Sequence, residues 1–202
     1  MKLNRLSLLI LAAAPCFASN IYQVTVNASS LPANTSGFID FGFNGGLSAT
    51  AVISNFSAPG TALNAGSIST FGTVAGSLPG TVTMGDDNAD YDEGLTFGST
   101  ISFQLAFSGT AGGTVGDLFT LTFINSTFDG FLLTGNLGDG WIAQFQLDTL
   151  GNVTPTTFTN PSGGPTFATI TSVVPEPAPA GMAIAGLLAA VAFVRLRNRA
   201  EA

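Results

Sequence analysis

Between residues 19 and 173 apolar side chains recur at every second position, and this period constrains the fold more than any other feature of the chain. Ser99 to Ser108 is the clearest case, with Ile101, Phe103, Leu105 and Phe107 alternating with Ser102, Gln104 and Ala106. Asp117 to Phe123 sets Phe119, Leu121 and Phe123 against Thr120 and Thr122, and Trp141 to Asp148 sets Ala143, Phe145 and Leu147 against Gln144, Gln146 and Asp148. Tyr22, Val24 and Val26 alternate with Gln23 and Thr25. Successive side chains on a strand point to opposite faces, so each segment has one apolar and one polar side. Weaker strands are predicted at 37–43, 48–54, 66–75, 80–84, 130–134 and 166–173. Turn residues separate them, among them Asn44-Gly45-Gly46, Pro79-Gly80, Gly112-Gly113, Asp129-Gly130 and Gly138-Asp139-Gly140. No window in this stretch carries a helical period. About ten two-faced strands predict an all-β fold, an antiparallel β-sandwich of jelly-roll-like form. A β-solenoid is the alternative, but no fixed repeat period is present, and a solenoid needs one.

Charge is segregated. Charged residues make up 8% of the chain, about a third of the usual share for a globular protein. The five basic residues are Lys2, Arg5, Arg195, Arg197 and Arg199, and no Lys, Arg or His lies between Leu6 and Val194. That interval holds eleven acids: Asp40, Asp86, Asp87, Asp90, Asp92, Glu93, Asp117, Asp129, Asp139, Asp148 and Glu176. Nucleic-acid binding is excluded, because it depends on cations that neutralise phosphates. The single cysteine, Cys16, lies in the N-terminal apolar segment, so the central domain has no thiol for disulfides, thiolate metal sites or nucleophilic catalysis.

The ends carry their own signals. Residues 1–18 read as a signal peptide: Lys2 and Arg5, an apolar run from Leu6 to Ala14, then Cys16-Phe17-Ala18 as a small-x-small cleavage pattern. An acylated Cys16 is the variant reading, and Pro15 directly before it fits such sites poorly. At the other end, Val174, Pro175, Glu176 and Pro177 open a stalk that continues through Ala178 and Pro179. Three prolines in five residues continue neither a helix nor a strand ladder, which leaves the stalk accessible. Residues 180–194 are apolar and predict a transmembrane helix of about 22 Å, short against a hydrocarbon core of about 30 Å. The long side chains of Arg195, Arg197 and Arg199 extend it and hold that end in the cytoplasm as a stop-transfer cluster. A GPI signal, by contrast, ends in its hydrophobic tail and lacks a closing basic cluster.

The order Pro-Glu-Pro, short apolar span, arginine cluster over residues 174–199 resembles the PEP-CTERM sorting signal of Gram-negative bacteria. The resemblance implies export through the inner membrane and transient single-pass anchoring there. It further implies processing at the stalk by an exosortase, and delivery to the cell surface or extracellular matrix, in bacteria that make exopolysaccharide or biofilm. On that reading Val174, Pro175, Glu176 and Pro177 are a substrate for another protein's chemistry. The exported domain of residues 19–173 is also similar to a group of PEP-CTERM proteins without an assigned activity. Tyr22-Gln23-Val24, Phe38 to Asn44, Gly76-Ser77-Leu78-Pro79-Gly80, Asn88-Ala89-Asp90-Tyr91, Phe97-Gly98-Ser99 and Ile101-Ser102-Phe103 carry that likeness.

Within the domain the densest polar cluster is Gly85 to Gly94. Asp86, Asp87, Asn88, Asp90, Asp92 and Glu93 offer hard oxygen ligands of the kind Ca²⁺ takes. Either this is a solvated acidic loop or Ca²⁺ orders it. The spacing departs from an EF-hand, with Tyr91 where Gly belongs and Phe97 where Glu belongs. Two aromatic residues are candidates for stacking on a sugar, Trp141 at a strand start and Tyr91 in the acidic cluster, and the competing reading of Trp141 as a core residue is the stronger one. Catalysis is not expected. Glu93 is the only glutamate between signal and stalk, and no cation is present to steady an oxyanion. The sequence therefore predicts a non-catalytic exported surface or matrix protein, with a carbohydrate-binding module, Ca²⁺-dependent or not, as the alternative and a polysaccharide hydrolase as a remote one. The partners expected are an exosortase, the inner membrane before processing, and extracellular polysaccharide.

Overall fold

The computed structural model describes residues 20–46, 48–112, 116–134, 136, 138–159 and 165–173. The segments expected as signal peptide, stalk, transmembrane helix and arginine cluster lie outside the described residues. Among the described residues no helix is long and apolar enough to cross a membrane.

The described chain is all strand and turn: β1 (Asn20–Asn27), β2 (Ser36–Asn44), β3 (Ala49–Ser57), β4 (Ala62–Phe71), β5 (Val74–Gly76), β6 (Val82–Gly85), β7 (Asp87–Thr96), β8 (Thr100–Gly109), β9 (Asp117–Asn125), β10 (Phe131–Leu132), β11 (Trp141–Leu147), β12 (Val153–Thr157) and β13 (Ala168–Val173). They form two antiparallel sheets. The first has the order β13-β1-β8-β3-β6-β5, the second β12-β11-β9-β2-β7-β4, with β10 paired to β9. Their inner faces share one hydrophobic core whose buried residues run from Tyr22 to Ala168. The alternation read from the sequence is the reason: Val24, Phe103, Ile53, Phe41, Phe119 and Phe145 all sit at inward positions of strands from both sheets. Aromatic contacts tie the sheets together, with ring centroids of Phe41 and Phe103 5.3 Å apart, Tyr22 and Phe145 5.3 Å, and Phe107 and Phe119 5.9 Å.

Two strands depart from the sequence expectation. Residues 87–96 are not a loop but β7, a strand paired on both sides, with β2 and with β4. Charge hid its period: Ala89, Tyr91 and Leu95 face the core, but Glu93 occupies an inward position among them. The Tyr91 hydroxyl makes that tolerable, donating to the Glu93 carboxyl while accepting the Leu78 N–H at 3.0 Å. The other strand is β12, an edge strand whose Pro155 disguised it; an edge position tolerates a residue with no N–H to give the ladder. The predicted segment 66–75 is in fact divided. β4 ends in the second sheet at Phe71 and β5 starts in the first at Val74. Gly72 makes the crossing with φ +67, and a Cβ there would stand 2.9 Å from Ala89 Cα.

Candidate functional site

Asp90 and Asp92 alternate outward from β7 while Tyr91 and Glu93 face inward, so the outer face of the second sheet receives their carboxylates. The register on β2 then sets Asp40 directly opposite Asp92, and Gly42 opposite Asp90. On β9 the same row continues with Thr122 opposite Asp40 and Thr120 opposite Gly42. Asp40, Asp90 and Asp92 thereby bring three carboxylate oxygens within 4.8 Å of one another, the one such trio among the described residues.

Like charges this close cannot all ionise at the usual pH. Burial, reinforced by the negative charges of Asp90 and Asp92, pushes Asp40 up to about 8, although a Thr122 hydrogen bond opposes the shift. Burial and the Asp90 charge push Asp92 up to about 6. Asp90 is raised by burial, while hydrogen bonds from Asp40 and from the Tyr91 N–H work the other way. Hydrogen bonding between Asp40 and Asp90 requires a proton on one of them, so near neutrality the trio holds a proton or takes up a cation. Its donor set of hard oxygens suits Ca²⁺ better than a softer metal.

The six ligands expected from the sequence do not form one shell. Asp90 and Asp92 belong to the trio. Asp87 is engaged elsewhere, its carboxylate accepting the Thr73 N–H at 3.0 Å and the Thr73 hydroxyl at 2.7 Å. Asn88 projects outward in the left-handed region at φ 66. Glu93 is buried against Tyr91. Asp86 is buried at the corner where the chain passes from β6 to β7, accepting the N–H groups of Ser48 at 2.9 Å and Ala49 at 2.8 Å. Burial works against its ionisation, but those amides prevail and hold Asp86 below the ordinary carboxylate range. Its neighbour Asp117, equally buried, accepts the Gly46 N–H at 3.1 Å. Burial, then the Asp86 carboxyl beside it, push Asp117 up to about 6, so this pair holds a proton only below about that pH. Asp40 joined the trio through register, which no local pattern in the sequence encodes.

No family model, no curated protein and no solved structure matches this chain.

The two aromatic candidates part company. Tyr91 is fully buried, its ring near that of Phe41 and its hydroxyl taken by Glu93 and Leu78, so no sugar reaches it. Trp141 is half-buried at the start of β11, opposite Thr122, where a bulge between Trp141 and Ala143 re-aims the strand end. It lines a groove of about 250 Å³ on the outer face, together with Gly42, Asn44, Phe71, Asn88, Asp90 and Thr120. Phe71 was not foreseen from the sequence. It is 64% exposed, because the register sets it opposite the outward-facing Asp90 on the edge strand β4. Val174, Pro175, Glu176 and Pro177, expected as a processing motif, and Arg195, Arg197 and Arg199, expected as a stop-transfer cluster, lie outside the described residues.

Proposed function

We propose that this chain is a non-catalytic exported surface or matrix protein of a Gram-negative bacterium, sorted by a PEP-CTERM tail and processed by an exosortase. Its two sheets form a jelly-roll-like β-sandwich as the mature cargo. The observation that carries the reading is the confinement of all five cations to the chain ends, the last three directly after a Pro-Glu-Pro stalk and an apolar span. A positive N-terminal segment before an apolar run directs export, and the closing arginines stop it. The cargo domain between them is cation-free, as befits a surface meant to stay clear of nucleic acid and of anionic lipid.

The test is replacement of the stalk. With Pro175, Glu176 and Pro177 all changed to Ala, the full-length chain should accumulate in the inner membrane of an exosortase-bearing host, while the unaltered chain should yield a shorter extracellular product. Recovery of the unaltered chain from the cytosol at full length, with both ends intact, sinks this reading.

A second reading, a carbohydrate-binding module with Ca²⁺ held by Asp40, Asp90 and Asp92, is favoured by the groove that places Trp141 and Phe71 beside that trio. Ca²⁺ bound only by the folded state raises the thermal midpoint by mass action. Addition of Ca²⁺ at millimolar concentration should raise it by about 3–8 °C at pH 8, for a gain of about 2 kcal/mol in a domain of this size. Asp40→Asn should lose most of that gain. An unaltered midpoint with Ca²⁺ and with EDTA removes the metal from this reading.

A further inference from the structure

The groove on the outer face of the second sheet has aromatic ends at Trp141 and Phe71, a floor without a side chain at Gly42, and walls that set Asn44, Asn88, Asp90 and Thr120 beside the half-buried Leu118. Antiparallel register lays a straight row across four strands, Thr120 on β9, Gly42 on β2, Asp90 on β7 and Phe71 on β4. Trp141 on β11 closes the far side. Asn44 and Asn88 flank the row. We propose that this groove is a binding subsite for a neutral polysaccharide, which lies across the strands with pyranose rings set against Trp141 and Phe71. The inference rests on the carbohydrate-binding reading above and adds the place, the orientation and the charge class of the ligand.

Each part of the groove argues for that ligand. Phe71 exposes most of its ring on an edge strand, where burial in the core would ordinarily claim a Phe, and a flat apolar ring suits the C–H face of a pyranose. The floor at Gly42 is kept open: a Cβ there would stand 2.8 Å from Thr120 Oγ1. Between the rings, one carboxyl, two amides and one hydroxyl supply both donors and acceptors, matching sugar hydroxyl groups that both give and take hydrogen bonds. From β11 to β4 the sheet crosses four inter-strand spacings, about 19 Å, the span of a short run of sugar units rather than of one.

Charge selects the class. The exported domain has no Lys, Arg or His, and Asp90 lies in the groove with Asp40 and Asp92 beside it. With the trio free of Ca²⁺, a uronate or sulfated chain would bring further negative charge to carboxylates that no basic side chain of the domain offsets. A neutral chain meets no such repulsion.

The experiment is affinity electrophoresis of the full-length protein, in a detergent without a sugar headgroup, through gels containing neutral polysaccharides (a β-glucan, a galactomannan, a dextran) or acidic ones (alginate, pectate). The expected result is retardation by at least one neutral polymer and by neither acidic one. Phe71→Ala and Trp141→Ala should each weaken retention by about tenfold or more. Phe71 is mostly exposed, so its truncation should leave the thermal midpoint within about 2 °C of the parent, which separates lost binding from lost folding. Retention by neutral polymers that both ring variants preserve overturns the groove while leaving a carbohydrate-binding domain standing. Retention by acidic polymers alone overturns the charge class. Retention by none overturns the inference and the carbohydrate-binding reading together, without touching the export reading.

Discussion

Phe119→Ala should lower the unfolding free energy of the domain by about 3–5 kcal/mol, the range for truncating a buried Phe that leaves a cavity behind. Phe119 is fully buried on β9, the strand nearest the middle of the second sheet on that side of β2. Its ring centroid lies 5.9 Å from Phe41, 6.0 Å from Phe43, 5.9 Å from Phe107 and 6.1 Å from Phe145. Phe107 belongs to the first sheet and the other three to the second, so one truncation opens the seam between sheets as well as the packing within one. No disulfide can offset the loss, because the only cysteine is Cys16. Urea denaturation of residues 19–173, a fragment that retains the whole described core, measures the effect, and the thermal midpoint should fall by about 10 °C or more. A loss below about 1 kcal/mol would be too small for a ring buried in a shared core.

Raising the pH from 5 to 9 in the absence of divalent cations should lower the thermal midpoint of the same fragment by about 5–10 °C, from a loss on the order of 3 kcal/mol after discounting for the partial exposure of the outer face. The sign follows from the protons bound. Asp40 is pushed up to about 8, and Asp92 and Asp117 up to about 6, chiefly by burial and then by neighbouring carboxylates. The folded state therefore binds more protons than the unfolded chain, and the stability this gives at low pH is lost progressively from about pH 4, until the pH has passed about 6 for Asp92 and Asp117 and about 8 for Asp40. Asp86, Asp87, Asp129 and Asp148 act in the opposite direction. Hydrogen bonds outweigh burial and hold them below their ordinary values, so their contribution disappears as the pH falls below about 4. The stability maximum should accordingly lie at about pH 4, where the lowered acids are already ionised and the raised ones are still protonated. Asp40→Asn keeps a donor toward Asp90 and removes one charge from the trio, so it should flatten the alkaline limb by roughly half. A midpoint that stays level or rises between pH 5 and 9 would contradict the crowding of these carboxylates.

Much of this molecule is legible in its residues. Ile101 to Phe107 and Phe119 to Phe123 alternate without interruption, and the structure places both as strands with those residues inward, because burying a whole apolar face fixes both the period and its phase. Where a charged residue takes an inward position the same reasoning fails. Glu93 made β7 read as a loop, and the partner that lets it be buried, the Tyr91 hydroxyl, sits two positions away and is recognisable only once both are known to face the core. The division of residues 66–75 between two sheets was likewise invisible, since a strand that changes sheets keeps its local preferences and differs only in what it pairs with.

The sequence by itself determined the segregation of charge, the all-β character and the inward identity of most core positions, because these depend on composition and on a period of two along the chain. The tertiary structure alone decided which acids meet. Asp40 and Asp92 are 52 positions apart and become neighbours through the β2–β7 register, while Asp86 and Asp87, adjacent in the chain, go respectively to a buried corner and to Thr73. Phe71 and Trp141 came to share a groove for the same reason. Pairing between strands distant in sequence is set by how two whole faces bury together, and no short stretch of residues carries that information.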